Sequence, residues 1–169
     1  GQREALGILG VNLIHACYNH NDDINDFLEA LSYRLPRDRM EIDMLNISGP
    51  DFEDVDNRII ARAHNLTELL TDVTAHAEMQ AITAAANFLG GKYLHKCSLY
   101  VTLEPCQMCA GALFWSQIST IIYGAKDEQR GCGAMGTKLH PKTMIRGGIL
   151  ADEASELLKR FFSEKRKLN

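Results

Sequence analysis

No apolar run in this chain reaches the ~18 residues that a membrane-spanning helix needs. The longest candidate, Ala5 to Ala16, is broken by Asn12 and His15 and follows Arg3 and Glu4. It lacks the cleavage pattern of a secretory signal, and it reads as a packed helix. There are only four prolines and one tryptophan, and neither an internal repeat nor a low-complexity tract. Collagen-like, mucin-like and solenoid organisations are thereby excluded. Five cysteines is an odd number, and two of them stand in a C-x-x-C. In a chain read as lacking a signal, that usage favours metal or redox chemistry over a disulfide framework and points to the cytoplasm.

What is present suits one compact domain. The 169 residues are 46% apolar and 24% charged, enough for a sizeable core. The net charge of −4 is unevenly spread, with −8 over residues 1–56 and +4 over residues 57–169. The second part suits contact with a polyanion and the first does not, although solvated faces would give the same pattern.

Residues 2–19 read as a helix weakened by Gly7 and Gly10, and Asp22 or Asp23 caps a second helix that Pro36 stops. Met40 to Ser48 alternates loosely as a strand would, Gly49 to Asn57 is acidic and turn-like, and Arg58 to His64 reads as a strand. Thr74 is a candidate N-cap for a helix to Leu89, ended by Gly90-Gly91. Strands are expected over Ser98 to Leu103, Ser119 to Gly124 and Thr143 to Leu150. Pro105 opens a helix to about Gln117, and another runs from Asp152 to about Lys165, acidic at its start and basic at its end. Strands alternating with helices predict a layered α/β domain.

Two segments carry the chemistry: His76-Ala77-Glu78 and Pro105-Cys106-Gln107-Met108-Cys109. Each lies at the start of an expected helix. Cys106 and Cys109 are three apart and share a helix face, where the partial positive charge of the N-terminus favours thiolates. With His76 they make a His-Cys-Cys set that suits zinc. A structural zinc is closed by four protein ligands, whereas three leave a position for water. Zinc would lower the pKa of that water to about 7. Glu78 would then take its proton and hand it to a departing amine, which is hydrolytic deamination. H-x-E followed by P-C-x-x-C is the signature of zinc deaminases. The competing readings are a redox pair and a structural zinc closed by His95 or Cys97. Cys17, Cys97 and Cys132 read as plain thiols. His15 and His20 do not share a helical face, which argues against a second metal site with Asp22.

From about Asn57 to Lys167 the chain closely resembles the bacterial tRNA-specific adenosine deaminases, of the cytidine deaminase-like superfamily. The resemblance rests on Ile60-Ala61-Arg62-Ala63-His64-Asn65, on Thr74 to Glu78, and on Tyr100-Val101-Thr102-Leu103-Glu104-Pro105-Cys106-Gln107-Met108-Cys109-Ala110-Gly111-Ala112. Tyr123 to Asp127, Gly148 to Glu153 and the Phe161-Phe162 pair before basic residues extend it. It implies a cytidine-deaminase-like α/β fold, three layers α/β/α around a mixed five-stranded sheet, and a homodimer. It implies conversion of adenosine to inosine at the wobble position of a tRNA anticodon. By match, His76, Cys106 and Cys109 hold zinc and Glu78 shuttles protons; residues two apart on a helix do not face each other, so the resemblance alone places Glu78 beside the metal. By match too, Asn65 hydrogen-bonds the target nucleoside, Asp127 lies at the nucleic-acid rim, and Phe162 contacts the anticodon stem-loop. Asn65 also reads as a turn residue and Phe162 as a core residue.

Residues 1–56 do not match. Where the family has a Pro-Val-Gly-Ala strand, this register holds Ser48 to Val55, too acidic for a core strand. Either Met40 to Ser48 supplies the first strand or that strand is missing, and the segment reads as coming from a different source, joined near Asp56-Asn57-Arg58. The competing functions are deamination of a free base or nucleoside, guanine or cytosine, and an inactive zinc-stabilised binding module.

Overall fold

A computed structural model describes residues 12–16 and 58–168. Its sheet begins with β1 (Asn12–Ala16) and β2 (Arg58–Ala63). After a four-residue helix α1 (Thr67–Leu70) comes α2 (Ala77–Leu89), then β3 (Cys97–Leu103), α3 (Gln107–Ser116), β4 (Thr120–Ala125), β5 (Met144–Arg146) and α4 (Ala151–Leu168). The strand order is β2-β1-β3-β4-β5. β1 pairs antiparallel with both β2 and β3, while β3–β4 and β4–β5 are parallel.

Alternation along the strands sorts the helices between the two faces. Side chains of period 2 send Cys97, Leu99 and Val101 of β3 and Ile121 of β4 to one face. There they pack with Ala81 and Ala85 of α2 and Leu113 of α3 in one buried cluster. Ser98, Tyr100 and Thr102 of β3 and Thr120 and Ile122 of β4 point the other way and are buried as well. On that side α4 crosses β4, with Ala154 fully buried against Gly124. Both faces of the central strands are covered, as their near-continuous apolar sequence requires. The expected three-layer α/β/α architecture with a mixed sheet is what the described residues form.

Two expectations are corrected. Asn12–Ala16 is a strand, not part of a helix over residues 2–19. A short apolar run has no period long enough to separate the two. This strand lies second in the sheet, between β2 and β3, so the first strand is not missing. Met40 to Ser48, the other candidate for it, and the helix expected after Asp22 or Asp23 lie outside the described residues.

The helix around Glu78 also begins later than expected. Its N-cap is His76, with Thr74 two residues earlier donating its N–H and hydroxyl to Asp72 Oδ1 at 2.8 and 2.7 Å. Thr74 is thus held in an Asp-Thr turn ahead of the helix start. Gly90 ends the helix in the left-handed conformation, as expected.

Candidate metal centre

His76 and Cys106 occupy the same position in two different helices. Each is an N-cap with extended backbone, His76 before α2 and Cys106 before α3. At an N-cap the side chain turns back over the first turn, whose N–H groups lack carbonyl partners. Cys109 follows one turn into α3 and shares the face of Cys106. Both helix starts therefore converge on one point. Cys106 Sγ lies 3.6 Å and Cys109 Sγ 3.5 Å from His76 Nδ1. All three donor atoms lie within 4.8 Å of one another.

That spacing fits zinc. Tetrahedral bonds of about 2.3 Å to sulfur and about 2.0–2.1 Å to nitrogen put ligand atoms about 3.6 Å apart along an N···S edge. The group contains three residues, and among the described residues no fourth His, Cys, Asp or Glu joins it. His95 and Cys97, the candidates for closing a structural site, are engaged elsewhere. His95 Nε2 pairs with Gln117 Oε1 at 2.8 Å, and Cys97 Sγ donates to the His95 carbonyl at 3.7 Å.

The electrostatics suit metal-binding thiols. A hydrogen bond from the Cys109 thiol, then the backbone N–H groups of α3 and the nearby His76, hold Cys106 down at about 5. Cys109 is pushed up by the same shared proton and by burial. Deprotonation of both thiols would supply the two negative charges that balance a divalent cation.

Glu78 sits in the first turn of α2 and is 8% exposed. Burial pushes its carboxyl up from the usual carboxylate range, and the charges of Cys106 and His76 act on it. The carboxylate thus lies beside the cluster and outside the three-ligand group.

The structure ties the other sequence-derived residues to this centre unequally. Asn65 follows β2, and its neighbour Leu66 donates its N–H to the carbonyl of Ala75 at 2.9 Å, next to His76. Asn65 Oδ1 accepts from the N–H and hydroxyl of Thr67 at 3.0 and 2.7 Å, so a turn role is present. Asp127 lies in the loop after β4, where Gly131 bridges to Cys106. Its Oδ1 caps its own turn, accepting from the N–H groups of Gln129 and Arg130 at 3.0 and 2.9 Å. Phe162 is 50% exposed on α4 and stacks edge-on against Phe161, which excludes the core reading. It belongs to the helix on the far face of the sheet from α2 and α3.

One residue went unassigned in the sequence. Glu104 closes the strand that leads to Cys106 and is 3% exposed. A carboxylate between a buried strand and Pro105-Cys106 was the available signal, because buried acids are held by donors.

The MafB19-like deaminase family matches residues 22–166. The chain belongs to that family. It is 42% identical over 118 residues to a tRNA-specific adenosine deaminase of Agrobacterium fabrum, covering 66% of this chain and 78% of that protein. It is 35% identical over 173 residues to a tRNA(Ile)-lysidine synthase of Deinococcus radiodurans, covering 99% of this chain and 27% of that protein. Among solved structures it is similar to one from a study of A-to-I editing by tRNA:A34 deaminases at the wobble position. That match has a TM-score of 0.56 and 38% identity, and covers 61% of this chain and 79% of the other. It is also similar to a guanine deaminase from Nitrosomonas europaea, with TM-score 0.51, 25% identity, and coverage of 61% and 65%. Both the family match and the Deinococcus alignment run through Asp56-Asn57-Arg58, where the resemblance by motif had its edge.

Proposed function

We propose that this protein hydrolyses adenosine to inosine at the wobble position of a tRNA anticodon, using zinc held by His76 Nδ1 and the thiolates of Cys106 and Cys109. The observation that carries the reading is the buried carboxylate of Glu78 beside a three-ligand set, since a metal held only for stability has no use for a proton shuttle. Bound zinc supplies a Lewis-acidic centre at which a water ionises near neutral pH. The Glu78 carboxylate accepts the proton of the attacking water and delivers it to the exocyclic nitrogen. The new C–O bond replaces the C–N bond and ammonia departs. Asn65 holds the target nucleoside beside His76 through its amide nitrogen, its Oδ1 being committed to Thr67. Asp127 meets the nucleic acid at the rim, and Phe162 offers an exposed ring for stacking on the stem-loop. Lys159 and Arg160, exposed one turn earlier on α4, add positive charge.

The tRNA substrate is favoured by the names of the relatives matched over about two-thirds of this chain. An anticodon loop also presents an unstacked base at little cost. Residues 1–56 and 57–169 act as one compact domain, a reading supported by the β1 strand inserted between β2 and β3. The chain works in the cytoplasm as a homodimer, in which Trp115, 76% exposed on α3, offers apolar surface to a second copy. No helix among the described residues is long and apolar enough to cross a membrane.

The test is inosine formation at the wobble position of an anticodon stem-loop RNA, with free adenosine, cytidine and guanine alongside. Inosine in the RNA is the expected result. Turnover of a free base alone would replace the tRNA reading with the small-substrate one. No turnover by the zinc-loaded protein would leave an inactive binding module.

A further inference from the structure

Glu104 makes more contacts than a strand end requires. Its Oε1 accepts from the N–H of Gly133 at 2.8 Å and from the Cys132 thiol at 3.5 Å. Its Oε2 accepts from the N–H of Asp127 at 3.2 Å. The two oxygens thus grip both ends of the loop that follows β4. The loop is shaped to receive them. A Cβ at Gly131 would collide with the Glu104 carboxylate and lie 2.6 Å from the Asp127 carbonyl, and one at Gly133 would lie 2.9 Å from Oε1. The backbone adds two ties at the metal end, the Cys106–Gly131 bridge and the Cys132 N–H donating to the Pro105 carbonyl at 2.9 Å. Glu104 itself lies two residues before Cys106, so one residue joins the metal-binding turn to the loop that carries Asp127 and Arg130.

We propose that Glu104 is a positioning residue: its carboxylate clamps the 127–133 loop against the start of α3 and so sets where the substrate's nucleic-acid backbone docks relative to the metal centre. The docking part rests on the function proposed above. The clamp needs two acceptor oxygens. A carboxylate offers both, whereas an amide has one oxygen and must turn its NH₂ toward one of the two donor groups. Glu104→Gln therefore keeps one arm and opposes the other at constant size. Gly133→Ala attacks the same clamp from the loop side, away from the metal ligands.

The experiment reads amide hydrogen exchange at Asp127 and Gly133 in the full chain, zinc per chain, and kcat and KM on the anticodon stem-loop RNA. Hydrogen bonds to charged groups are strong enough that losing one arm is expected to raise exchange and KM by about ten- to a hundredfold. Zinc content is expected to stay at the wild-type level and kcat to move far less than KM. Unchanged exchange in both variants overturns the clamp. Faster exchange with an unchanged KM, or a loss that falls on zinc or kcat instead, overturns the positioning role. If the wild type forms no inosine in RNA, the tRNA reading fails by that control alone. Exchange, which needs no substrate, then still decides the clamp, while the docking role is overturned together with the tRNA reading.

Discussion

Gly124 stands where α4 presses closest to the sheet, and filling that contact tests how the two faces are held. A Cβ there would lie 2.7 Å from Ala154 Cβ, 2.9 Å from the Thr102 carbonyl and 3.3 Å from the Ile149 carbonyl. Non-bonded carbons rest at about 3.5–4.0 Å, so Gly124→Ala demands a shift of roughly 1 Å between α4 and β4. Overpacking of this kind costs about 1–3 kcal/mol. For a domain of this size that lowers Tm by about 2–12 °C. Thermal unfolding followed by circular dichroism measures it, with Ala154→Gly and the double variant completing a cycle. The double variant removes the 2.7 Å contact and leaves the Thr102 one, so part of the loss returns and the two substitutions couple by about 0.5–3 kcal/mol. Zinc content is expected to be unchanged, because the ligands belong to α2 and α3 on the other face. A Tm within about 1 °C of wild type, or strictly additive substitutions, would refute the packing argument.

Glu78→Gln, at constant volume, is expected to keep zinc while lowering kcat by about 10²–10⁴-fold, the usual worth of a positioned acid–base group; zinc analysis and single-turnover kinetics check it, and unchanged turnover removes Glu78 from the mechanism. Asn65→Asp separates two roles, because aspartate still accepts from Thr67 but has no amide to donate. Stability is expected to hold while kcat/KM falls about tenfold or more, whereas a loss of Tm with kcat/KM intact would leave Asn65 only the turn. Burial holds the His64 imidazole below its ordinary 6.5, with Nε2 buried and unpartnered. The folded state then binds this proton less readily than the unfolded chain, so the stability present above pH 6.5 is lost as pH falls from 6.5 through the lower value of the folded state. His64→Leu is expected to shrink the difference in Tm between pH 7.5 and 5.5, and an identical difference in both proteins would contradict it.

The parts of the molecule legible in its sequence are those where local chemistry decides position. His76, Cys106 and Cys109 mark a candidate metal site because ligand type and spacing are constrained by the ion such a set would hold, and helix starts are marked by their own neighbours. β3, α3, β4 and α4 were expected within one to three residues of where they lie, since each carries a long apolar pattern or a clear stop. The strand Asn12–Ala16 was not legible. A run of five residues is too short to show a period, and the glycines before it read equally as a weak helix. Its identity is fixed by what it pairs with, β2 on one side and β3 on the other, at separations of more than forty residues. Glu104 was hidden for a related reason. Its donors, Asp127, Cys132 and Gly133, are more than twenty residues away, and only the folded chain brings them to one carboxylate. The signature records which three side chains cluster, while the residues that hold its two halves and the 127–133 loop in register are defined by long-range contacts. Variants at Glu104 and Gly124 therefore probe a layer of the site that no motif spells out, one from the loop and the other from beneath the sheet.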